Sequence, residues 1–158
     1  MTTATSTSST FSTIASACPL INISSADELA EIHTHSVIKH AHILAGIETS
    51  KEKITNYFVQ LKVFLESNNY QGCPYSNALV ASKGGDPVIA KEVKDHKQFM
   101  REFFISLAYE IVEIEEAKFL GENLFLLYSG ATTESQNFKE IWPVEHSLNI
   151  VKRLLESY

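Results

Sequence analysis

Two helix-start signals, each followed by apolar residues at helical spacing, constrain this chain more than any other feature. Ser25 and Glu28 stand three residues apart, as do Thr49 and Glu52, which is the spacing of a capping box. In such a box the hydroxyl accepts a hydrogen bond from a first-turn amide, and the carboxylate accepts one from the cap amide. After Thr49, apolar side chains recur at the spacing of one buried helix face: Ile54, Tyr57, Phe58, Leu61, Phe64 and Leu65.

The rest of the chain has the same helical punctuation and lacks the alternating pattern of a half-buried strand. Asp86 and Pro87 form a strong start signal, because aspartate is a favoured N-cap and proline fits the first helical position. The predicted helices cover residues 25–46, 49–69, 75–82, 87–114, 115–132 and 143–156. The expected apolar stripe of the first helix is Leu29, Ile32, Ser36, Lys39 and Ile43. We therefore expect an all-α helical bundle of about six helices.

Residues 1–24 are rich in serine and threonine, and they hold too little apolar surface to offset the entropy of ordering. We predict that this segment is disordered and that residues 25–158 form one domain. Cys18 and Cys73 are too few and too far apart for a disulfide framework, so we expect two reduced thiols in a cytoplasmic protein. No apolar run approaches the roughly 20 residues of a membrane span, so we expect no membrane contact.

The charge distribution argues against nucleic acid as a partner. The formal net charge is −6, and the first Lys or Arg of the sequence is Lys39. Since Lys and Arg side chains supply most of the non-specific affinity for DNA phosphates, we expect no direct nucleic-acid binding by this chain.

Three short motifs carry a resemblance to a known family through their order and spacing. Gly72-Cys73-Pro74 precedes a short helix of small residues, and Asp86-Pro87 opens the long helix. Further on, the leucine-rich run Leu124–Tyr128 leads into Gly130-Ala131. Together these motifs resemble the C-terminal regulatory domain of TetR-family transcriptional regulators over residues 47–158. Residues 20–46 are similar to the family's fourth helix.

The resemblance implies a ligand-binding and dimerising domain for residues 25–158. Full-length members of the family carry a helix-turn-helix ahead of this domain, and its second helix enters the DNA major groove. Here the corresponding stretch is the Ser/Thr-rich segment, so we expect a chain that lacks its own DNA-binding helix-turn-helix. Either it is a truncated product or it is a stand-alone regulatory domain.

The run Leu124–Tyr128 is apolar on every side of a helix and therefore needs partners on more than one face. One interpretation is a deep position in the core. The other is an interface between two copies, since two-fold dimers are the commonest oligomers and the family's last two helices form a four-helix bundle across such an axis. We expect this homodimer, with the interface residues Leu120, Leu124, Leu127, Tyr128, Leu148, Val151 and Leu155.

Aromatic side chains cluster on the second and fourth helices, where they form either ordinary core or the wall of a small-molecule pocket. The family resemblance implies such a pocket, for a small apolar ligand. Tyr57, Asn77 and His96 are the polar candidates to orient that ligand. The predicted ligand-binding set is Tyr57, Phe58, Asn77, His96, Met100 and Phe103.

Neither a metal site nor a catalytic site is indicated by the pattern of residues. Spacings of two, five and seven residues separate the histidines, whereas paired ligands on one helix face stand three or four apart: His33, His35, His40 and His42. We interpret them as a partly solvated helix surface. There is no Gly-x-Ser-x-Gly elbow and no indicated base for Cys73, so we expect no enzyme, no metal and no cofactor.

The sequence thus predicts a TetR-like domain that senses a small ligand and homodimerises. The alternative is an interaction module that forms heterodimers with a full-length TetR-type regulator. A small-molecule carrier or enzyme that uses the same pocket is a third possibility.

Overall fold

The computed structural model describes residues 25–158, and these residues form six α-helices and no β-strand. In chain order the helices are α1 (Ala26–Leu44), α2 (Ser50–Ser67), α3 (Pro74–Ala81), α4 (Pro87–Ala108), α5 (Ile114–Phe138) and α6 (Trp142–Glu156). The predicted all-α bundle of about six helices is confirmed. The segment predicted to be disordered, residues 1–24 with Cys18, lies outside the described residues.

The two predicted capping boxes close in different ways. At the start of α1, the Ser25 hydroxyl accepts from the Glu28 amide at 3.3 Å, and the Glu28 carboxylate accepts from the Ser25 amide at 3.2 Å. At the start of α2, the Thr49 hydroxyl accepts from the Glu52 amide at 3.3 Å and donates to the Glu52 carboxylate at 2.9 Å. Both helices therefore begin where the sequence predicts.

The main core lies where α2, α4, α5 and α6 meet. Fully buried side chains from all four helices fill it, among them Ile54, Phe58, Phe104, Leu120, Leu124 and Val151. Gly121 allows α5 to approach α4 closely, because a Cβ atom built on it would lie 2.4 Å from the Cα atom of Ile105. These four helices therefore form the main core of the fold.

α1 and α3 lie outside this four-helix core. α1 packs against α2 and α4, and α3 packs against α4. A second, smaller group of buried side chains lies beneath them: Leu29, Tyr75, Ala78, Ile89 and Val93. Leu29 is the buried residue of α1, whereas α2 buries six residues. Apolar burial therefore holds α1 less firmly than it holds the core helices.

The end of α4 differs from the prediction. The helix ends at Ala108, whereas the sequence placed its end near Ile114. The Ala108 carbonyl accepts from the amides of both Ile111 and Val112, at 2.9 and 3.1 Å, and this turn separates α4 from α5. Ile111 and Val112 still pack against the main core, so their apolar spacing is real although they are not helical.

The end of α5 also differs, because the helix continues to Phe138 and the prediction stopped at Thr132. Thr132 and Ser135 are buried, and the Thr132 hydroxyl donates to the Tyr128 carbonyl at 2.8 Å. Burial of this last part of α5 outweighs the modest helix propensity of two consecutive threonines.

Candidate functional site

Histidine and aromatic rings meet where α1 lies against α2, α3 and α4. We call this group the histidine–aromatic cluster; its members are His33, His40, Tyr57, Tyr75, His96, Phe99 and Phe103. His33 and His40 stand seven residues apart on α1, which is two helical turns, so both imidazoles face inward. His96, Phe99 and Phe103 repeat a similar spacing on α4 and face α1.

His40 has partners on two other helices, α2 and α4. Its Nε2 atom forms a hydrogen bond with the Tyr57 hydroxyl, and its ring stacks on Phe99 with centroids 5.5 Å apart. Burial, together with smaller contributions from the charges of Lys39 and His33, lowers the pKa of His40 from its ordinary value of 6.5 to about 4. This imidazole is therefore neutral near pH 7.

His96 is covered by the ring of Tyr75. The two rings are parallel within 3°, with centroids 3.7 Å apart, and His33 meets His96 edge-on at 6.0 Å. Burial lowers the pKa of His96 to about 3, with smaller contributions from the charges of Lys97, His33 and His40. The Tyr75 hydroxyl donates to the Leu29 carbonyl at 3.0 Å, so α3 also holds α1 here.

Two imidazole nitrogens in the cluster are left without a hydrogen bond. They are the Nδ1 atoms of His40 and His96, which are both buried and have no partner within residues 25–158. A neutral imidazole offers one donor and one acceptor, so each ring has one bonding position to spare. A buried polar atom without a partner costs on the order of 1–3 kcal/mol. Such atoms mark places where a further group can bind.

The Tyr57 hydroxyl connects the cluster to the main core. Besides its bond with His40, it lies 3.9 Å from the Met100 sulfur and interacts with the Tyr128 hydroxyl. Burial raises the pKa of Tyr57, and burial likewise raises the pKa of Tyr128. Both phenols therefore stay protonated and act as hydrogen-bonding groups, not as charges.

Cys73 lies at the edge of the cluster, at the N-cap of α3. Its sulfur is 3.7 Å from the Lys97 ammonium, one residue after His96 on α4. The thiol is free, as the sequence predicts for this residue.

The structure brings four of the six predicted ligand-binding residues together. Tyr57, His96 and Phe103 belong to the cluster, and Met100 contacts the Tyr57 hydroxyl. The other two, Phe58 and Asn77, lie outside the cluster.

Phe58 is fully buried in the main core, with its ring 6.1 Å from Phe104 and 6.2 Å from Tyr128. Asn77 is exposed: its amide donates to the Gln71 carbonyl at 2.7 Å, and its carbonyl accepts from Gln136 at 2.9 Å. Asn77 thus ties α3 to the end of α5.

Sequence reasoning missed four members of the cluster: His33, His40, Tyr75 and Phe99. It judged the α1 histidines by the short spacings of metal ligands and placed them on the surface. His35 and His42 are exposed as expected, but His33 and His40 face inward. Their seven-residue spacing was the available signal, because two whole turns return a helix to the same face.

Four of the seven residues expected at a dimer interface are buried inside the single chain. Leu120, Leu124 and Val151 are 0% exposed and Leu155 is 3% exposed, so a second copy has almost no area of theirs left to cover. The other three, Leu127, Tyr128 and Leu148, pack partly against the same core.

The predicted interface residues therefore lie on the face of α5 and α6 that packs into the core of the same chain. These helices expose other apolar side chains, which we call the outer face: Phe119, Leu126, Phe138, Trp142 and Ile150.

Two open grooves lie away from the cluster. One of about 480 Å³ runs between α2 and α6 beside Asn56 and Lys152, and one of about 530 Å³ lies beside Tyr109 and Tyr158. Neither groove is lined by a predicted ligand-binding residue.

Comparison with known proteins gives no relative: no family model, curated protein or solved structure matches the chain. Within residues 25–158, no group of three His, Cys, Asp or Glu side chains is arranged to hold a metal ion. None of the six helices in that range combines the length and apolar character needed to cross a membrane.

Proposed function

We propose that this chain is the sensory and dimerising part of a TetR-like transcriptional regulator. In this proposal a small, largely apolar ligand binds among the rings of the histidine–aromatic cluster. The observation that supports it best is the pair of buried, unpartnered Nδ1 atoms of His40 and His96, in the part of the chain from residue 25 on. Small-molecule sites are typically apolar, with a few convergent polar groups and shifted pKa values.

Ligand entry requires the cluster to open, because its rings already touch. Centroid distances run from 3.7 Å for Tyr75 and His96 to 6.0 Å for His33 and His96. α1 is the element that moves most easily, since Leu29 is its buried residue. A ligand between α1 and α4 would displace α1 and leave the four-helix core in place. In a complete regulator such a displacement could couple the ligand to a second site.

Dimerisation is assigned to the outer face of α5 and α6. Phe119 and Leu126 are 60% and 64% exposed on α5, and Ile150 is 50% exposed on α6. These helices are consecutive and pack against each other. A contiguous exposed apolar patch is typical of a protein–protein contact, and these side chains are the candidates to form one. No DNA contact is assigned, because the chain carries a formal charge of −6.

The ligand site is tested by titrating the full chain with 1-aminoanthracene, a neutral, planar and largely apolar fluorescent amine. We expect saturable binding that His40→Phe and His96→Phe each weaken by about tenfold, since each removes the unpartnered Nδ1 atom together with Nε2 and keeps an aromatic ring. His35→Phe is the matched control, because His35 is an exposed histidine of the same helix. Equal affinity in all four proteins, or no saturable binding, would refute the site.

The heterodimer alternative uses the same outer face and differs in the partner. A chain that stays at its own mass of 17.7 kDa in solution, and that binds a co-expressed full-length TetR-type regulator, would favour that alternative.

A further inference from the structure

We propose that α1 is a helix latched by histidines, which acidification releases from α2, α3 and α4. The proposal does not depend on the ligand assigned above. It rests on how α1 is attached and on which groups surround the two buried imidazoles.

Both apolar and polar contacts hold α1 to the rest of the molecule, and Ile32 and Ile43 pack partly against the two groups of buried side chains. Leu29 is buried, and its carbonyl accepts from Tyr75. The carbonyl of Ile43, near the other end, accepts from the Asn56 amide at 2.9 Å. Between these two points Ile32 packs against the smaller core group, and the inward histidines His33 and His40 dock against rings.

The docking contacts of His40 and His96 need neutral imidazoles. His40 lies between Tyr57 on α2 and Phe99 and Phe103 on α4, with centroids 5.1 to 5.5 Å away. A proton added to either ring at Nδ1 would be buried without a hydrogen-bond acceptor in the described part of the chain. A buried, unpaired charge is far more costly than a buried neutral ring.

The ionisable groups around the two rings oppose protonation. On α1 they are His33 and Lys39, and on α4 Lys97 follows His96 directly; all act to lower the pKa values of the buried histidines. The neighbours from α2 and α5 are the neutral phenols of Tyr57 and Tyr128.

On the α3 side, Tyr75 covers His96 and Cys73 contacts Lys97. Glu92, a turn before His96 on α4, carries a carboxylate on this side. Its charge acts on the Tyr75 hydroxyl, whereas the charges acting on His96 itself come from Lys97, His33 and His40.

The direction of the pH effect follows from these surroundings. The pKa values of His40 and His96 are about 4 and about 3 when α1 is docked, and 6.5 is the ordinary value that an exposed histidine regains. The docked state is therefore fully favoured above pH 6.5, and it loses stability relative to the released state as the pH falls toward the docked values. Each histidine shifts this equilibrium by about tenfold per pH unit in that window.

Peptide-resolved hydrogen–deuterium exchange of the full chain tests the latch at about pH 7.5 and about pH 5, after correction for intrinsic exchange. We expect the protection of residues 26–44 to fall by about a hundredfold per pH unit below pH 6.5 when both histidines titrate. The peptides of α5 and α6 should keep their protection. The pH change should be reversible.

Substitutions identify the groups responsible. His40→Gln and His96→Gln should each reduce the pH slope from about two protons to about one, and the double variant should abolish it. His35→Gln with His42→Gln is the matched control, because both residues are exposed on α1.

If the double variant loses its helical circular dichroism, the pH slopes of the two single variants test the latch instead. Protection of α1 that does not change with pH, or an unchanged slope in both single variants, would overturn the proposal.

Discussion

Gly121 sets the distance between α4 and α5, because no larger residue fits against the backbone of the facing helix. A Cβ atom at this position would lie 2.4 Å from the Ile105 Cα atom and 2.6 Å from its amide nitrogen. We expect Gly121→Ala to lower the free energy of unfolding by about 1–3 kcal/mol, despite the better helix propensity of alanine. Urea unfolding followed by circular dichroism measures the change.

Gly130 is the matched control for that substitution, since it lies on the same helix and a Cβ there would meet nothing within 4 Å. Gly130→Ala should stabilise the protein by about 0.5–1 kcal/mol through helix propensity. Equal effects of the two substitutions would mean that α4 and α5 are not in the close contact described.

The hydroxyl of Tyr57 provides a second test at the scale of single residues. Its hydroxyl bonds with His40 and lies near Met100, so Tyr57→Phe leaves the His40 Nε2 atom buried without its partner. We expect a loss of about 1–3 kcal/mol in thermal or urea unfolding. Tyr109→Phe removes a hydroxyl from a 51% exposed residue and should change stability by less than about 0.5 kcal/mol.

At the scale of single helices, the cap of α4 makes a clear prediction. The Asp86 carboxylate accepts from the Val88 amide at 2.9 Å and from the Ile89 amide at 3.2 Å. Asp86→Ala should therefore destabilise the protein by about 1 kcal/mol. Asp95→Ala is the control: its ion pair with Lys91 at 2.6 Å is exposed, and such pairs contribute little. Equal losses in both variants would contradict the capping role.

The helices themselves could be predicted from the sequence because their signals are local. Capping residues and apolar spacing gave the starts of α1, α2 and α4 and the buried face of α2. The ends of α4 and α5 could not be predicted in this way. They depend on a turn closed at Ala108 and on burial of Thr132 and Ser135, which are set by contacts with distant residues.

The candidate site was likewise predicted only in part, where local sequence signals were sufficient. Tyr57, His96 and Phe103 were predicted because they lie on apolar stripes of long helices. His33 and His40 were not, because the inward face of α1 mixes apolar residues such as Ile32 and Ile43 with histidines. The predicted apolar stripe of α1 included Lys39, which is exposed, and omitted both inward histidines. Inward histidines on such a face can be recognised only when the positions of the rings opposite them, such as Phe99, are known.

At the scale of the whole molecule, the outer face of α5 and α6 predicts self-association. Leu126→Glu places a charge on this face. Because Leu126 is 64% exposed, the substitution should leave the core unaffected. We expect the parent chain to have twice its mass of 17.7 kDa in solution, and the variant to fall to a single mass. Light scattering coupled to gel filtration measures both.

Val80→Glu is the control for this experiment, because Val80 is 78% exposed on α3 and does not belong to the outer face of α5 and α6. It should leave the dimer intact. A parent chain that is already monomeric, or a dimer that Leu126→Glu does not weaken, would contradict the outer-face assignment.

The central claim is that a small molecule binds among the histidines between α1 and α4. The most direct measurement is an NMR titration of the histidine ring signals with 1-aminoanthracene, since the chain has six histidines in distinct surroundings. We expect saturable shifts of the inward rings His33, His40 and His96. Shifts confined to the exposed rings His35, His42 and His146, or no shift in any ring, would contradict it.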